Sequence, residues 1–158
     1  MAAEAECVMG SILLDIGKID DALRYLDCSL KEGRQEHNEW SIIWGLLMLA
    51  FAYLLKKDQN RTIHYLHEFV ESSRKVEISV RLFPYLFEIL WAIEQEELPS
   101  VNGLSLEKEI FQSLEGKNIF LRGFAHRCQA LLQRKRGSTH EEIIQSLNLS
   151  MKFFHHFF

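Results

Sequence analysis

His64, His67 and Glu68 fall at i, i+3 and i+4, a spacing that sets three potential metal ligands on one face of a helix. The stretch carries no H-E-x-x-H signature and no further cluster completes a ligand set, so the three read as exposed bystanders on an outer helix face. Arg134-Lys135-Arg136 could meet a phosphate or an acidic peptide; it also stands where a helix is expected to end, and cations are favoured there by the helix dipole. Cys7, Cys28 and Cys128 are far apart and form no C-x-x-C pair, which points to reduced thiols packed as small hydrophobes rather than to a disulfide framework or a zinc site. No G-x-S-x-G turn, glycine-rich phosphate loop or carboxylate pair stands out, so neither catalysis, a cofactor nor a metal is expected.

The material that must position these residues is one ordinary domain's worth: 158 residues, 47% hydrophobic and 25% charged. A formal net charge of −4 supplies no global basic field, which disfavours binding that neutralises many phosphates. Glu4, Glu6 and Asp15 interrupt the first fifteen residues, unlike a secretory signal. The most apolar stretch, Trp40 to Leu55, is about 16 residues long, short of the roughly 20 needed to span a bilayer, and reads as a buried helix. A cytoplasmic location is expected, and the sequons at Asn60 and Asn148 are taken as chance matches.

Apolar residues recur with helical period along the whole chain, and no stretch alternates long enough to compete as a strand. The pattern predicts an all-α protein of eight helices, at about 3–16, 19–35, 38–56, 59–74, 79–96, 105–115, 118–136 and 139–157. Brief punctuation at Gly17-Lys18, Asp58-Gln59 and Gly137-Ser138 predicts antiparallel neighbours, hence hairpins of about 3–35, 38–74, 79–115 and 118–157 in a single domain, 1–158. The longest break, 96–105, holds Pro99, Asn102 and Gly103, with Ser105 placed to cap the next helix. Pro84 predicts either a late start of the fifth helix, near Leu82, or a kink there, and the late start is favoured.

Within the hairpins the small and glycine positions recur. Gly10, Gly17, Ala22 and Leu26 in the first correspond to Ala50, Lys57, Thr62 and Leu66 in the second, and to Ala130, Gly137, Ile143 and Leu147, with a one-residue slip, in the fourth. This spacing resembles the tetratricopeptide repeat, at about 40 residues per copy rather than the family's 34. It is similar to the long, degenerate repeats in sensor regions of bacterial transcriptional activators and signalling ATPases. The resemblance implies a right-handed superhelix of about four antiparallel helix pairs, an α-α solenoid. In such an array the first helix of each pair lines a concave groove. Here that groove would take Cys7, Ser11 and Leu14, then Trp44, Leu47, Phe51 and Leu54, then Arg127, Leu131 and Arg134, running from apolar to basic. The implied role is a non-catalytic module that binds a protein or peptide, or senses a ligand, in a cytoplasmic regulatory or transcription protein.

Two other readings are open. One is an architectural spacer between domains without a groove partner; the other takes the fourth hairpin as a DNA-reading helix-turn-helix, against the net charge. The terminal M-K-F-F-H-H-F-F sets four phenylalanines in six residues where a solenoid would normally carry a polar cap. It suggests a piece of a longer protein with adjoining domains, or a homodimer formed through this end.

Overall fold

The computed structural model describes residues 2–76 and 84–155, and among these it is all-helical, with no strand. Its elements are α1 (Ala2–Asp15), α2 (Ile19–Gln35), α3 (Glu39–Leu55), α4 (Gln59–Val76), α5 (Tyr85–Glu94), α6 (Leu106–Glu115), α7 (Ile119–Lys135) and α8 (His140–Phe154). Each coincides with an expected helix to within a few residues, save the fifth. There Pro84 occupies the N-cap position and Tyr85 opens the helix; the expected start near Leu82 lies outside the described residues. Phe157 and Phe158 lie outside them as well.

The turns repeat one device. Gly17, His37, Lys57 and Gly137 each sit at positive φ, between 52° and 77°. The next amide closes back over five residues to the helix just ended: Lys18 to Leu13, Asn38 to Gly33, Asp58 to Tyr53 and Ser138 to Gln133, at 2.8–3.0 Å. This is the Schellman closure that satisfies orphan carbonyls at a helix C-terminus. Asn38 and Asp58 then serve twice, their side chains capping the amides of Ser41 and Arg61 at 3.1 Å. One residue closes a helix and opens the next, so only three residues separate the helices, which run antiparallel. Lys57, standing where Gly17 stood, keeps the left-handed backbone without the glycine. Ser105 caps α6 as expected, and Thr139 with Glu142 forms a full capping box on α8.

The backbone gathers into two compact units, each described by itself. In the first, α1 packs on α2, α2 on α3, α3 on α4, and α1 also reaches α3 directly. Gly10 permits the α1–α2 approach, since a Cβ there would lie 2.6 Å from Leu26 Cγ. Ser29 on α2 donates to the Ala3 carbonyl on α1 at 2.6 Å. Thr62 can take the place of Ala22 in the second hairpin because its buried hydroxyl turns back onto the Asp58 carbonyl at 2.8 Å and is thereby paired. The 96–103 segment, expected as a plain break, folds onto this unit. Leu98 and Val101 are buried, Gln59 donates to the Glu97 carbonyl at 2.7 Å and Arg74 to that of Asn102 at 3.5 Å.

In the second unit α7 is central, packing on α5, α6 and most extensively on α8. The α7–α8 pair repeats the tie of the first hairpin: Ser150 donates to the Gly123 carbonyl at 2.8 Å, twenty-seven residues away where Ser29 and Ala3 are twenty-six apart. The two ties thus differ by one residue in separation. An aromatic chain reinforces this unit. Phe87 stacks on Phe124 at 6.5 Å, and Phe124 meets Phe120 and Phe154 edge-on at 5.1 and 5.2 Å.

Candidate functional site

Along α3 the expected groove residues divide. Leu47 is fully buried and serves as core, as do Cys7 and Leu14 on α1; Ser11 is buried too, its hydroxyl bonded to the Cys7 carbonyl at 2.9 Å. These four offer nothing to a partner, because the positions that face a groove in an open array here face a neighbouring helix. Trp44, Phe51 and Leu54 stay half-buried, at i, i+7 and i+10 along one line of an otherwise apolar helix. Leu54 also borders a hollow of roughly 290 Å³ whose other walls include Lys57, Gln59, Thr62, Glu97 and Leu98, so the 96–103 segment helps to shape the end of this line.

The outer helices of this unit are laced by polar and aromatic side chains. Arg34 on α2 and His64 on α4 both reach Glu68, at 2.5 and 2.9 Å. The three residues read as possible ligands are thus split: Glu68 is engaged by Arg34 and His64, and His67 is exposed. Among the described residues no group of three or more His, Cys, Asp or Glu could hold a metal ion. Arg61 lies 4.9 Å from the centre of the Tyr53 ring and donates to its hydroxyl at 3.0 Å, while Tyr65 stacks on Tyr53 at 5.6 Å. Burial, followed by the nearby Asp27 carboxylate, pushes the Tyr65 phenol above its ordinary range, so it stays neutral.

The basic residues of the fourth hairpin are largely spent inside their own unit. Arg127 pairs with Glu88 on α5 at 2.5 Å, Lys135 with Glu94 on α5 at 3.2 Å, and Arg136 with Glu107 on α6. Lys135 and Arg136 of the Arg-Lys-Arg run, with Arg127, thereby tie α7 to α5 and α6. Arg134 alone of the three carries no ion pair among the described residues; it is exposed, and Leu131 is half-buried. No sequence signal pointed to these carboxylate partners, which lie 29 to 41 residues away.

Phe153 and Phe154 turn inward on α7. The Phe154 ring crowds Gly123, where a Cβ would sit 2.9 Å from Cε1. Phe153 stacks on His126 at 5.5 Å and lies 4.9 Å beneath the Arg122 guanidinium. Burial, with Arg122 nearby, holds His126 below its ordinary pKa, in its neutral stacking form.

The thiols separate in the same way. Burial pushes Cys7 and Cys128 up to about 12, whereas Cys28 is exposed on α2. Because the thiolate is the reacting form, Cys28 alone should react with a disulfide reagent at pH 8 in the native protein, and all three cysteines in denaturant. Rapid native reaction of two or more thiols would show that α1 or α7 opens readily.

The class defined by these features is an all-helical protein whose neighbouring helices pack in pairs, and none of its described helices is long and apolar enough to cross a membrane. Comparison with protein-family models, curated proteins and solved structures finds no match for the chain.

Proposed function

We propose that this protein is a non-catalytic helical-repeat module of tetratricopeptide-like, right-handed superhelical build that captures a protein or peptide segment in a cytoplasmic regulatory assembly. The observation that carries this reading is the line of Trp44, Phe51 and Leu54 on α3. Large apolar side chains left half-exposed on the most apolar helix are the kind of anchor that dominates recognition of an extended or helical segment. The packing of the first unit supports it: α1 lies directly on α3, while the outer helices α2 and α4 are bridged through long side chains such as Arg34 and Glu68. Hairpins that close on one side and open on the other curve, and the inner helices then line the concavity.

Selection of a displayed random peptide library on the folded protein tests the reading. Enriched peptides should carry apolar anchors and lose at least about tenfold in affinity to Trp44→Ala/Phe51→Ala, checked for unchanged helical content, and to Leu54→Glu. No enrichment, or equal binding to the variants, would remove the groove. The spacer reading draws on a separate observation, the carboxylates that engage Arg127, Lys135 and Arg136; it predicts that the library yields nothing.

A further inference from the structure

The hollow at the end of α3, roughly 290 Å³, is walled by side chains of distinct kinds. Leu54 and Leu98 are apolar, and Thr62 is wholly buried with its hydroxyl spent on the Asp58 carbonyl, so the depth of the hollow offers hydrocarbon. Lys57 and Glu97 stand exposed at its mouth, one cation and one anion, and neither makes an ion pair among the described residues. The neighbouring Lys56, by contrast, is taken by Asp20 at 2.6 Å. Gln59 donates to the Glu97 carbonyl at 2.7 Å and so ties the segment that carries Glu97 to the first turn of α4. Lys57 holds its place at φ 59°, in the left-handed turn position that glycine fills at Gly17 and Gly137. A side chain is disfavoured there, and what this one adds is an ammonium beside the hollow.

We propose that the hollow binds a free apolar α-amino acid, with its carboxylate on Lys57, its ammonium on Glu97 and its side chain between Leu54 and Leu98. Size sets one limit. A volume of about 290 Å³ lies at the low end for ligand pockets, room for one small molecule rather than a peptide segment. Charge sets the other. Opposite charges left unpaired at one mouth are answered together by a zwitterion, through two charge-assisted contacts. A ligand with an anionic end alone would meet the like charge of Glu97, and one with a cationic end alone that of Lys57. The site adjoins the line of Trp44, Phe51 and Leu54 but does not rest on peptide capture there, since its three polar residues, Lys57, Gln59 and Glu97, lie off that line.

Amide chemical shifts of the whole chain, followed by NMR during titration with L-leucine, L-isoleucine, L-methionine and L-phenylalanine to about 10 mM, read the binding directly. At least one of the four should bind with a Kd between about 10 μM and 1 mM, the range open to a ligand of so few atoms, and should move the amides around Lys57 and Leu98. The amide of that amino acid, which lacks the carboxylate, and its N-acetyl form, which lacks the ammonium, should each bind about tenfold more weakly or worse. Lys57→Gly should weaken binding about tenfold or more with the melting temperature unchanged or higher, because glycine suits φ 59°. Glu97→Gln, at an exposed position, should weaken binding to the same degree without loss of stability. Trp44→Ala/Phe51→Ala should leave it unchanged, so failure of this site and failure of the peptide groove read separately. No shift with any of the four amino acids, undiminished binding in Lys57→Gly and Glu97→Gln, or equal binding of the amide or N-acetyl form would each overturn the proposal.

Discussion

Replacing Phe87 by alanine should cost about 3–5 kcal/mol, the largest single-site loss expected in the second unit. The ring is 1% exposed and stacks on Phe124, whose own ring is braced edge-on by Phe120 and Phe154. α5 is only ten residues long and its backbone touches α6 and α7 sparingly, so side chains carry most of its attachment. Removing the ring leaves a cavity that the flanking helices can close only by breaking the aromatic chain. Urea unfolding followed by Trp91 fluorescence, in a Trp40→Phe/Trp44→Phe background, reports on this unit. A loss below about 1 kcal/mol would mean that the cavity collapses freely or that α5 contributes little to stability.

Two glycines should answer substitution with opposite signs. Gly10→Val is expected to cost about 3 kcal/mol, the top of the usual range for overpacking. The new Cβ would lie 2.6 and 2.7 Å from Leu26 Cγ and Cδ2, and Leu26 is wholly enclosed and cannot swing aside. For a domain of this size the melting temperature should fall by roughly 6–12 °C. Gly45→Ala should instead stabilise by about 0.5–1 kcal/mol. Its Cβ would meet Leu30 at an ordinary 3.6 Å, and alanine is the better helix former by about 1 kcal/mol. Thermal unfolding of both variants decides the matter, and a Gly10→Val protein as stable as wild type would show that α1 does not rest on α2 through this contact.

Much of the frame was legible in the sequence. All eight helices were expected, and the equivalence of Gly17, Lys57 and Gly137 reappears as left-handed backbone closed by the same five-residue hydrogen bond. His37 escaped notice because nothing about a histidine advertises positive φ; its place, twenty residues from Gly17 and from Lys57, was the usable signal. The candidate site was only partly legible. Trp44, Phe51 and Leu54 keep partial exposure as a groove requires, but Leu47, Cys7 and Leu14 do not, since helical register alone cannot say which apolar positions a neighbouring helix will cover. The folding back of Leu98 and Val101 was likewise invisible, because a break rich in Pro, Ser, Asn and Gly carries no periodicity to betray a packed face.

The sequence by itself determined where helices begin, where they stop and that they return antiparallel. Caps, Schellman closures and apolar periods act within about five residues, so local composition suffices to set them. Tertiary structure alone decided which glycine tolerates a side chain, which cations remain available and which apolar face stays open. Those outcomes depend on partners such as Leu26 for Gly10, Glu88 for Arg127 and α7 for Phe154, brought together by packing from 16 to 39 residues away in the chain.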